Sequence, residues 1–416
     1  MSQHKSVFRA LLVSALVSIL LALTVPVAAF VPLGDEFVVN TTRLNNQNYS
    51  SIATTTGGDF VVVWQQDTSG SGGQIYGQRF TQTGTPIGTE FLVSAAGYRP
   101  EVDSGSLGAF VVVWRQDDSV YFQRYDISGV AQGAATVVGS VSGDNQPIVQ
   151  VAMSSGGTFT VVWKKAGDQI FARVYNASGV PSGNEFSVGT GYAPRIGMGS
   201  GGNFVVTWTS GANVLAQRYN ASGVAQGTTF QVNTTAGASY SSAGIDDFGN
   251  MIFAYQAAGV GVYDVYAHRF NSSNDPLEAE FIVNTATAGS QGNARMALTS
   301  GAAFVVVWSD VSAGNGNIFG RRFDAAGAAL GDQFAVADNS FSQDYAMPVL
   351  INGFGDIAIT YMSVVAAPNA SSTCSRDSLA ERASQRRQRR MIFGSILTPP
   401  ATRLRLRWAS TMPGTS

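Results

Sequence analysis

Cysteine and histidine are nearly absent from this sequence of 416 residues, which holds 1 cysteine and 2 histidines. No disulfide can therefore form within the chain, and a thiolate metal cage is excluded. The one histidine after residue 29, His268, stands where other copies of a repeated segment have Gln78, Gln123 and Gln217. Its position indicates a structural role, so neither a Ser-His-Asp triad nor a histidine-built metal site is predicted.

Charged residues are also scarce, at 12% of the chain with a formal net charge of -2. Nine of the 25 lysines and arginines lie between Arg376 and Arg407. The rest of the chain has no basic stripe that could follow a phosphate backbone, which argues against a nucleic-acid partner. With 45% hydrophobic residues and 47 glycines, the composition is typical of an ordered all-β protein with many turns.

The N-terminus has the features of a secretory signal. Lys5 and Arg9 precede an apolar run at residues 10–23, and Val27-Ala28-Ala29 suits a cleavage site. We expect residues 1–29 to be a signal peptide, with an uncleaved membrane anchor as the alternative. Either one makes the protein secreted or exposed at the cell surface. Seven N-glycosylation sequons agree with a glycoprotein or arise by chance: Asn40, Asn48, Asn176, Asn220, Asn233, Asn271 and Asn369.

A short apolar segment recurs along the chain and organises it. The first copy is Phe60-Val61-Val62-Val63-Trp64, and spacings of 50, 49, 45, 47, 53 and 53 residues separate the aromatic residues that end successive copies. We call these residues the anchors: Trp64, Trp114, Trp163, Trp208, Tyr255, Trp308 and Tyr361. A period of this length, carried by strands, indicates a propeller or another repeat array.

Each repeat reads as four strands joined by glycine-rich turns, which are hairpin signals. The anchor strand lacks an outward polar face, so both faces should be covered, as in sheets stacked around an axis. We therefore predict a seven-bladed β-propeller of four-stranded antiparallel blades over residues 30–363. Residues 391–397 would supply the third strand of the last blade and residues 37–40 its fourth, so that pairing of the two ends closes the ring.

Residues 364–416 depart from the repeat and are rich in arginine. We expect this insertion and tail to be largely disordered, apart from the strand at 391–397. A propeptide cut after Arg390, or translation in a wrong frame, are the alternatives.

The repeats resemble a known family through two motifs, the Phe-Val-Val-Val-Trp strand and a third strand that contains Gln-Arg-Phe or Gln-Arg-Tyr. Examples of the latter are Gln78-Arg79-Phe80 and Gln123-Arg124-Tyr125. They are similar to the propeller-type repeats of large secreted and surface-attached proteins, over residues 34–362. The resemblance implies a secreted β-propeller, and it carries over no catalytic residue.

Two repeated residue types admit both a structural and a functional interpretation. The anchor tryptophans can fill the space between sheets or stack on sugars, and we favour packing because they recur in nearly every copy. The third-strand arginine, Arg79 and its equivalents, is expected to pair across the hairpin with Glu90, Glu185 or Glu280. A ring of anion-binding arginines is the alternative.

The candidate binding residues lie where the first strand of each repeat begins. Counting back 15 or 16 residues from an anchor leads to Tyr49, Tyr98, Tyr192, Tyr240 and Tyr345. Gln146 and Asn293 stand near that place in the third and sixth copies, and Arg99 follows Tyr98. If the first strand is innermost, these side chains surround one mouth of the channel and suit sugars or peptide segments. Alternatively, the tyrosines only seal the junctions between blades.

We therefore predict a monomeric, non-catalytic binding module for a glycan or an extended polypeptide, with no membrane contact beyond a possible N-terminal anchor. One alternative is a carbohydrate-active enzyme that uses loop carboxylates: Asp67, Asp117, Asp118, Asp168 and Asp310. The other alternative is a structural spacer in a surface layer or in adhesion. No cofactor is predicted, apart from a weak calcium signal in the acidic loop at residues 67–73.

Overall fold

The structure is a computed structural model that describes residues 31–32, 37–41, 47–67, 73–141, 148–260, 262–299, 301–310, 317–337, 346–351, 357–364, 389–393 and 409–410. The regular structure of these residues is β-strand, apart from a 3-10 turn at Ala166–Asp168. In chain order the strands are β1 Val31–Pro32, β2 Gln47–Thr54, β3 Phe60–Asp67, β4 Gly73–Phe80, β5 Pro86–Ser104, β6 Phe110–Gln116, β7 Ser119–Tyr125, β8 Thr136–Ser140, β9 Val149–Met153, β10 Phe159–Lys164, β11 Gln169–Tyr175, β12 Phe186–Thr190, β13 Tyr192–Met198, β14 Phe204–Ser210, β15 Asn213–Tyr219, β16 Ala225–Gln231, β17 Ser239–Ile245, β18 Met251–Ala258, β19 Tyr263–Phe270, β20 Phe281–Ile282, β21 Gln291–Leu298, β22 Phe304–Asp310, β23 Asn317–Phe323, β24 Phe334–Ala337, β25 Ala346–Ile351, β26 Ile357–Val364, β27 Arg389–Phe393 and β28 Ala409–Ser410.

Antiparallel hairpins join these strands into consecutive sheets. β2 to β8 are continuous, because β5 pairs with β4 through residues 86–97 and with β6 through residues 98–104. We divide them into sheet 1, β2 to β4 with residues 86–97, and sheet 2, residues 98–104 with β6 to β8. Sheets 3 to 6 are four-stranded, namely β9 to β12, β13 to β16, β17 to β20 and β21 to β24, and sheet 7 is β25 to β27. The predicted four-stranded antiparallel unit is confirmed.

The anchor strand is the second strand of its sheet and is buried on both faces. Residues 60–64 are at most 4% exposed, and residues 304–308 at most 1%. A strand at the surface of a sheet would bury only alternate residues, so burial of all of them requires another sheet on each side. Apolar clusters accordingly join each sheet to the next from sheet 1 to sheet 7.

The anchor tryptophans pack between these sheets. All five are at most 2% exposed. Four of them stack on an aromatic ring of the third strand, with centroid distances of 5.9 to 6.3 Å. Trp208 lies against Gly189 of the preceding sheet, where an added Cβ would come within 2.7 Å of Cζ2. The packing interpretation is therefore correct, because a buried indole offers no face to a sugar in solvent.

The first strands of successive sheets lie next to one another, in the order β2, β5, β9, β13, β17, β21 and β25, and β25 also contacts β2. Four-stranded antiparallel sheets that pack face to face with their first strands adjacent are the architecture of a β-propeller, in which these strands surround a central channel. The chain therefore has a β-propeller fold.

The two chain ends meet the first and last sheets differently from the prediction. Residues 37–41 belong to no strand, although residues 37–40 were expected to form one. Side-chain packing holds the segment instead: Val39 is 2% exposed in a cluster of sheet 1 residues with Ala358 of sheet 7, and Val38 packs against the cluster that holds Ile359. β27 pairs with β26, with Ile392 opposite Tyr361. It begins at residue 389 rather than 391, and residues 394–397 lie outside the described part of the chain.

Candidate functional site

A β-bulge near the start of the first strand shapes the predicted mouth of the propeller. In sheets 1, 2, 4, 5 and 6 the pairing of first and second strands is interrupted there. One residue in each bulge has left-handed backbone, with φ between 47° and 54°: Tyr49, Arg99, Ala193, Tyr240 and Asn293. Such backbone in a residue other than glycine costs roughly 1–3 kcal/mol and is concentrated at functional sites. Bulges likewise redirect side chains at the rims of closed β structures.

The predicted tyrosines occupy two register positions rather than one. Tyr49 and Tyr240 are the left-handed residues of sheets 1 and 5, whereas Tyr98 and Tyr192 come directly before the left-handed residues of sheets 2 and 4. A shift of one residue along a strand moves a side chain to the opposite face. A count of 15 or 16 residues from the anchor merged these two positions, so the four described tyrosines are not equivalent along their strands.

Four of the predicted site residues nevertheless form two contacting pairs, three tyrosines and Arg99 among them. Tyr192 and Tyr240 are 38% and 45% exposed, and their rings meet edge to face with centroids 6.3 Å apart at 71°. The guanidinium carbon of Arg99 lies 4.8 Å from the ring centroid of Tyr49, which is 39% exposed. Burial, and then the neighbouring phenols of Tyr240 and Tyr263, raise the pKa of Tyr192. Its hydroxyl therefore remains a hydrogen-bond donor at neutral pH.

The remaining predicted site residues are less informative. Tyr98 and Asn293 are half-buried. Gln146 and Tyr345 lie outside the described residues, as do residues 68–72, 142–147 and 311–316 of the loops expected on this face. Of the predicted site residues, the structure therefore describes Tyr49, Arg99, Tyr192 and Tyr240, which form two contacting pairs, and Tyr98 and Asn293.

The polar side chain directly after an anchor forms a hydrogen bond to the bulge of the next sheet. Its oxygen accepts a hydrogen bond from the backbone N–H of the left-handed residue, which fixes that residue on the rigid first strand. These bonds join Arg99 to Gln65 at 3.1 Å, Tyr240 to Thr209 at 3.3 Å and Asn293 to Gln256 at 3.1 Å. Sequence reasoning missed this role, although a polar residue that ends an otherwise apolar strand is a visible signal.

A second row of polar residues lies on the first strands, two positions further along each strand. Thirteen residues before the anchors of the first six repeats stand Ser51, Glu101, Gln150, Arg195, Ser242 and Arg295, which we call the channel row. Glu101 is bound from both sides, because Ser51 Oγ donates to one carboxylate oxygen at 2.8 Å and Gln150 Nε2 to the other at 2.8 Å. The sequence analysis did not predict this row, although its members share one count from the anchor.

Two arginines carry the positive charge of the channel row. Nη1 of Arg195 donates to the carbonyl of Pro194 at 3.1 Å, and Nη1 of Arg295 to that of Ala294 at 3.0 Å. Burial lowers the pKa of Arg295 to about 9. The charge of Arg195 also lowers this pKa, whereas the charge of Glu101 raises it. Burial also lowers the pKa of Arg195. Both guanidinium groups remain charged at neutral pH.

The opposite end of the first strands borders a cavity of about 230 Å³. Its wall includes the side chains near the ends of these strands: Thr54, Ser104, Met153, Met198, Ile245 and Leu298. Beside it, the Asp103 carboxylate accepts hydrogen bonds from the N–H groups of Met153 at 2.7 Å and Ser104 at 2.8 Å. Burial outweighs these bonds and raises the pKa of Asp103 to about 6.

The third-strand arginines reach the neighbouring sheet, and the expected pairs with Glu90, Glu185 and Glu280 are not found in the described part of the chain; Arg269 instead pairs with Glu278 of its own hairpin at 3.1 Å. Nη1 and Nη2 of Arg79 donate to the carbonyls of Ser128 and Ile127 at 2.6 Å each, and Arg124 donates to Ala177 at 2.7 Å. The guanidinium group reaches the turn of the next sheet, whose carbonyls it satisfies. Because these arginines already bind backbone oxygens, they also do not form a ring of free anion-binding groups.

The glutamates expected to pair with them have other partners. Glu280 accepts hydrogen bonds from Thr234, Thr235 and Tyr255. Burial by itself would raise the pKa of Glu280, but these donors outweigh it and lower the pKa to about 2. Glu185 pairs with Lys165. These carboxylates therefore tie strands and sheets together.

His268 and the loop carboxylates also have structural partners. The His268 ring nitrogens lie 2.6 Å from the carbonyl oxygen of Val232 and 3.0 Å from that of Glu278. Asp168 pairs with Lys164 at 2.8 Å, and Asp118 with Arg115 at 3.8 Å. The structural interpretation of His268 agrees with these contacts, since Gln123 similarly donates to the carbonyls of Arg124 and Gly133.

Within the described ranges no cluster of three or more His, Cys, Asp or Glu side chains could hold a metal ion. In the acidic loop considered for calcium, Asp67 accepts hydrogen bonds from Asn48 Nδ2 at 2.7 Å and Gln65 Nε2 at 3.1 Å. A helix of sufficient length and hydropathy to cross a membrane is not found among the residues that the structure describes.

Comparisons with known proteins find similarity at the level of structure. No protein-family model and no curated protein sequence matches the chain. The chain is similar to the Dos1 propeller, with 11% identity, 80% of this chain and 93% of that chain covered, and a TM-score of 0.49. A protein of unknown function from Dyadobacter fermentans has 10% identity, coverages of 82% and 96%, and a TM-score of 0.49. Sqt1 from Chaetomium thermophilum has 10% identity, coverages of 81% and 84%, and a TM-score of 0.48. None of these similarities assigns a ligand or a reaction to the chain.

Proposed function

We propose that the protein is a non-catalytic binding module that uses the mouth of the propeller bordered by Tyr49, Arg99, Tyr192 and Tyr240. The observation that carries this proposal is the exposed pair formed by Tyr192 and Tyr240. Two large aromatic rings remain partly open to solvent although their backbone is fixed on the first strands of adjacent sheets. Rigid aromatic surfaces of this kind bind ligands at little cost in conformational entropy.

The ligand that fits this mouth best is a glycan. Sugar rings have apolar faces that stack on aromatic side chains and hydroxyl groups that need hydrogen-bond partners. Tyr192 and Tyr240 supply rings with hydroxyl tips, and Arg99 supplies donors beside the Tyr49 ring. An extended polypeptide is the alternative, because tyrosine and arginine also bind peptide backbones and side chains.

The proposal includes a closed ring of seven blades, in which residues 37–41 take the place of a fourth strand beside the three strands that the described residues form in sheet 7. One repeated contact supports it. The backbone N–H of Thr41 donates to Glu90 of sheet 1, as that of Thr234 donates to Glu280 and that of Thr285 to Gln333. In the latter two pairs the donor follows the fourth strand of one sheet, and the acceptor directly precedes the fourth strand of the next sheet. Closure would remove the free edges of the array.

We further propose that the protein acts outside the cell or at its surface, on the basis of the predicted signal at residues 1–29. The sequons differ in their suitability for glycans. Asn40 and Asn233 are each 2% exposed, and Asn48 is 9% exposed. Asn176 is exposed in the turn after β11. In a eukaryotic secretory pathway, Asn176 is therefore a suitable acceptor for a glycan.

A glycan array probed with the purified protein tests the binding function. We expect saturable binding to a defined set of glycans, and a loss of at least tenfold in affinity for Tyr192→Ala and Tyr240→Ala. Phe248→Ala is the matched control, because Phe248 is an aromatic residue that is 78% exposed in the turn between β17 and β18, away from the mouth. Its affinity should not change.

Other outcomes separate the alternatives. Release of reducing sugar from a bound glycan would replace the binding module with a carbohydrate-active enzyme. Binding to a peptide library with the same dependence on Tyr192 and Tyr240 would assign the mouth to polypeptides. Absence of binding in both libraries would contradict the proposal and favour a structural spacer.

A further inference from the structure

Two half-buried guanidinium groups in the channel row have no acidic partner in an ion pair among the described residues. Arg195 and Arg295 stand on β13 and β21, and Ser242 of β17 occupies the corresponding place on the strand between them. The charge of Arg195 lowers the pKa of Arg295, and the charge of Glu101 raises the pKa of both arginines. Within the described residues, neither arginine belongs to an ion pair.

Glu101 does not neutralise these groups by direct contact. Its two carboxylate oxygens accept hydrogen bonds from Ser51 and Gln150. Arg99 also acts on Arg195, so the local charge set contains three guanidinium groups and one carboxylate. Placing a charge away from water is costly unless an opposite charge or sufficient hydrogen bonds compensate it. The channel therefore has a positive excess at Arg195 and Arg295.

The hydrogen-bond donors at this place remain largely uncommitted. A guanidinium group has five N–H donors, and the contacts found among the described residues use one nitrogen of each arginine, to the carbonyl of its preceding residue. Ser242 Oγ accepts a hydrogen bond from the N–H of Met296 at 3.2 Å. Its hydroxyl hydrogen therefore remains able to donate.

We propose that Arg195, Ser242 and Arg295 form a binding site in the central channel for one oxyanion group, a carboxylate, sulfate or phosphate. An oxyanion would neutralise the positive excess and accept the fork-shaped donors of arginine. The site lies two positions further along the first strands than the bulges of the tyrosine mouth, and it does not depend on the proposed glycan binding.

Titration calorimetry at low ionic strength tests this site with three probes: inorganic sulfate, inorganic phosphate and glucuronate. Glucose is the uncharged control. We expect at least one anion to bind with a stoichiometry of one, and at least tenfold more weakly to Arg195→Met and Arg295→Met. The probe that binds identifies whether a tetrahedral oxyanion or a carboxylate is preferred.

The matched control is Arg173→Gln, which removes a positive charge from β11, where Arg173 Nε donates to Gly183 at 3.1 Å in an exposed position. Its anion affinity should equal that of the unmodified protein. Arg295→Lys is a second variant, because it keeps the positive charge and removes only the fork of donors. It should fold and bind the anion several-fold more weakly.

The proposal would be overturned if no probe saturates, if Arg173→Gln loses as much affinity as Arg295→Met, or if neither methionine variant weakens binding. Tyr192→Ala distinguishes a failure of the anion site from a failure of the proposed glycan binding. That variant should retain anion binding whether or not the tyrosine mouth binds glycans.

Discussion

Gly189 and Trp208 should be energetically coupled across the gap between sheets 3 and 4. A Cβ at Gly189 would lie 2.7 Å from Cζ2 and 3.1 Å from Cε2 of the Trp208 indole, which is 2% exposed. The first distance is shorter than carbon atoms tolerate and the second is a tight contact, and the indole is enclosed. We expect Gly189→Ala to destabilise the protein by about 1–3 kcal/mol, the usual cost of overpacking a core.

Trp208→Phe tests the cause of that cost, because it removes the part of the indole that Gly189 contacts. The substitution removes about 40 Å³, and at about 24 cal/mol per Å³ the resulting cavity costs about 1 kcal/mol. In the double variant the new methyl group enters this space. The decrease in the free energy of unfolding of the double variant should therefore be smaller than the sum of the decreases in the two single variants, by about 1–2 kcal/mol.

The measurement is guanidinium chloride unfolding of the four proteins, with comparison of midpoints at a constant slope. Gly183→Ala is the control, since no atom lies within 4 Å of the Cβ that it adds. It should be neutral or stabilise the protein by up to about 1 kcal/mol, because alanine restricts the unfolded chain. Additive effects, or a Gly189→Ala loss no larger than that of the control, would refute the proposed contact between the sheets.

Two further predictions concern backbone strain and pH. Ala302 has a φ of 66° at a turn where Gly58 and Gly202 have 88°. Ala302→Gly should therefore raise the free energy of unfolding by about 0.5–1 kcal/mol in chemical denaturation, because it relieves left-handed strain of roughly 1–2 kcal/mol while adding freedom to the unfolded chain. A decrease would contradict this. The pKa of Asp103 is raised from 3.8 to about 6 by burial, so the folded state holds the proton more tightly. Its contribution to stability should be complete below pH 4 and lost as the pH rises to 6, by about 1–3 kcal/mol. Denaturation of the protein and of Asp103→Asn across this range should show that loss only in the former, and parallel pH profiles would disprove it.

Local pattern in the sequence was sufficient to predict the repeat unit. The apolar segment at residues 60–64 and its copies specify second strands buried on both faces, and glycine turns specify the hairpins around them. Such features depend on residues that are near in sequence and on the period of side chains along a strand. For the same reason the packing role of the tryptophans and the structural role of His268 could be inferred from their repeat positions.

The arrangement of the candidate site depended on contacts between residues about fifty positions apart. A bulge at the start of the first strand separates Tyr98 and Tyr192 from Tyr49 and Tyr240, and a count along the sequence does not show which of two adjacent residues takes the left-handed backbone. Likewise, Arg79 was expected to bind within its hairpin, but its length lets it reach the turn of the next sheet.

The sequence by itself determined that this protein is an array of antiparallel sheets, because strand formation follows from local hydrophobic pattern and turn chemistry. Only the tertiary structure decided which polar side chains meet in the channel. Glu101, Arg195 and Arg295 occupy equivalent places in different repeats, and their charges act on one another only because the first strands of separate sheets are packed side by side.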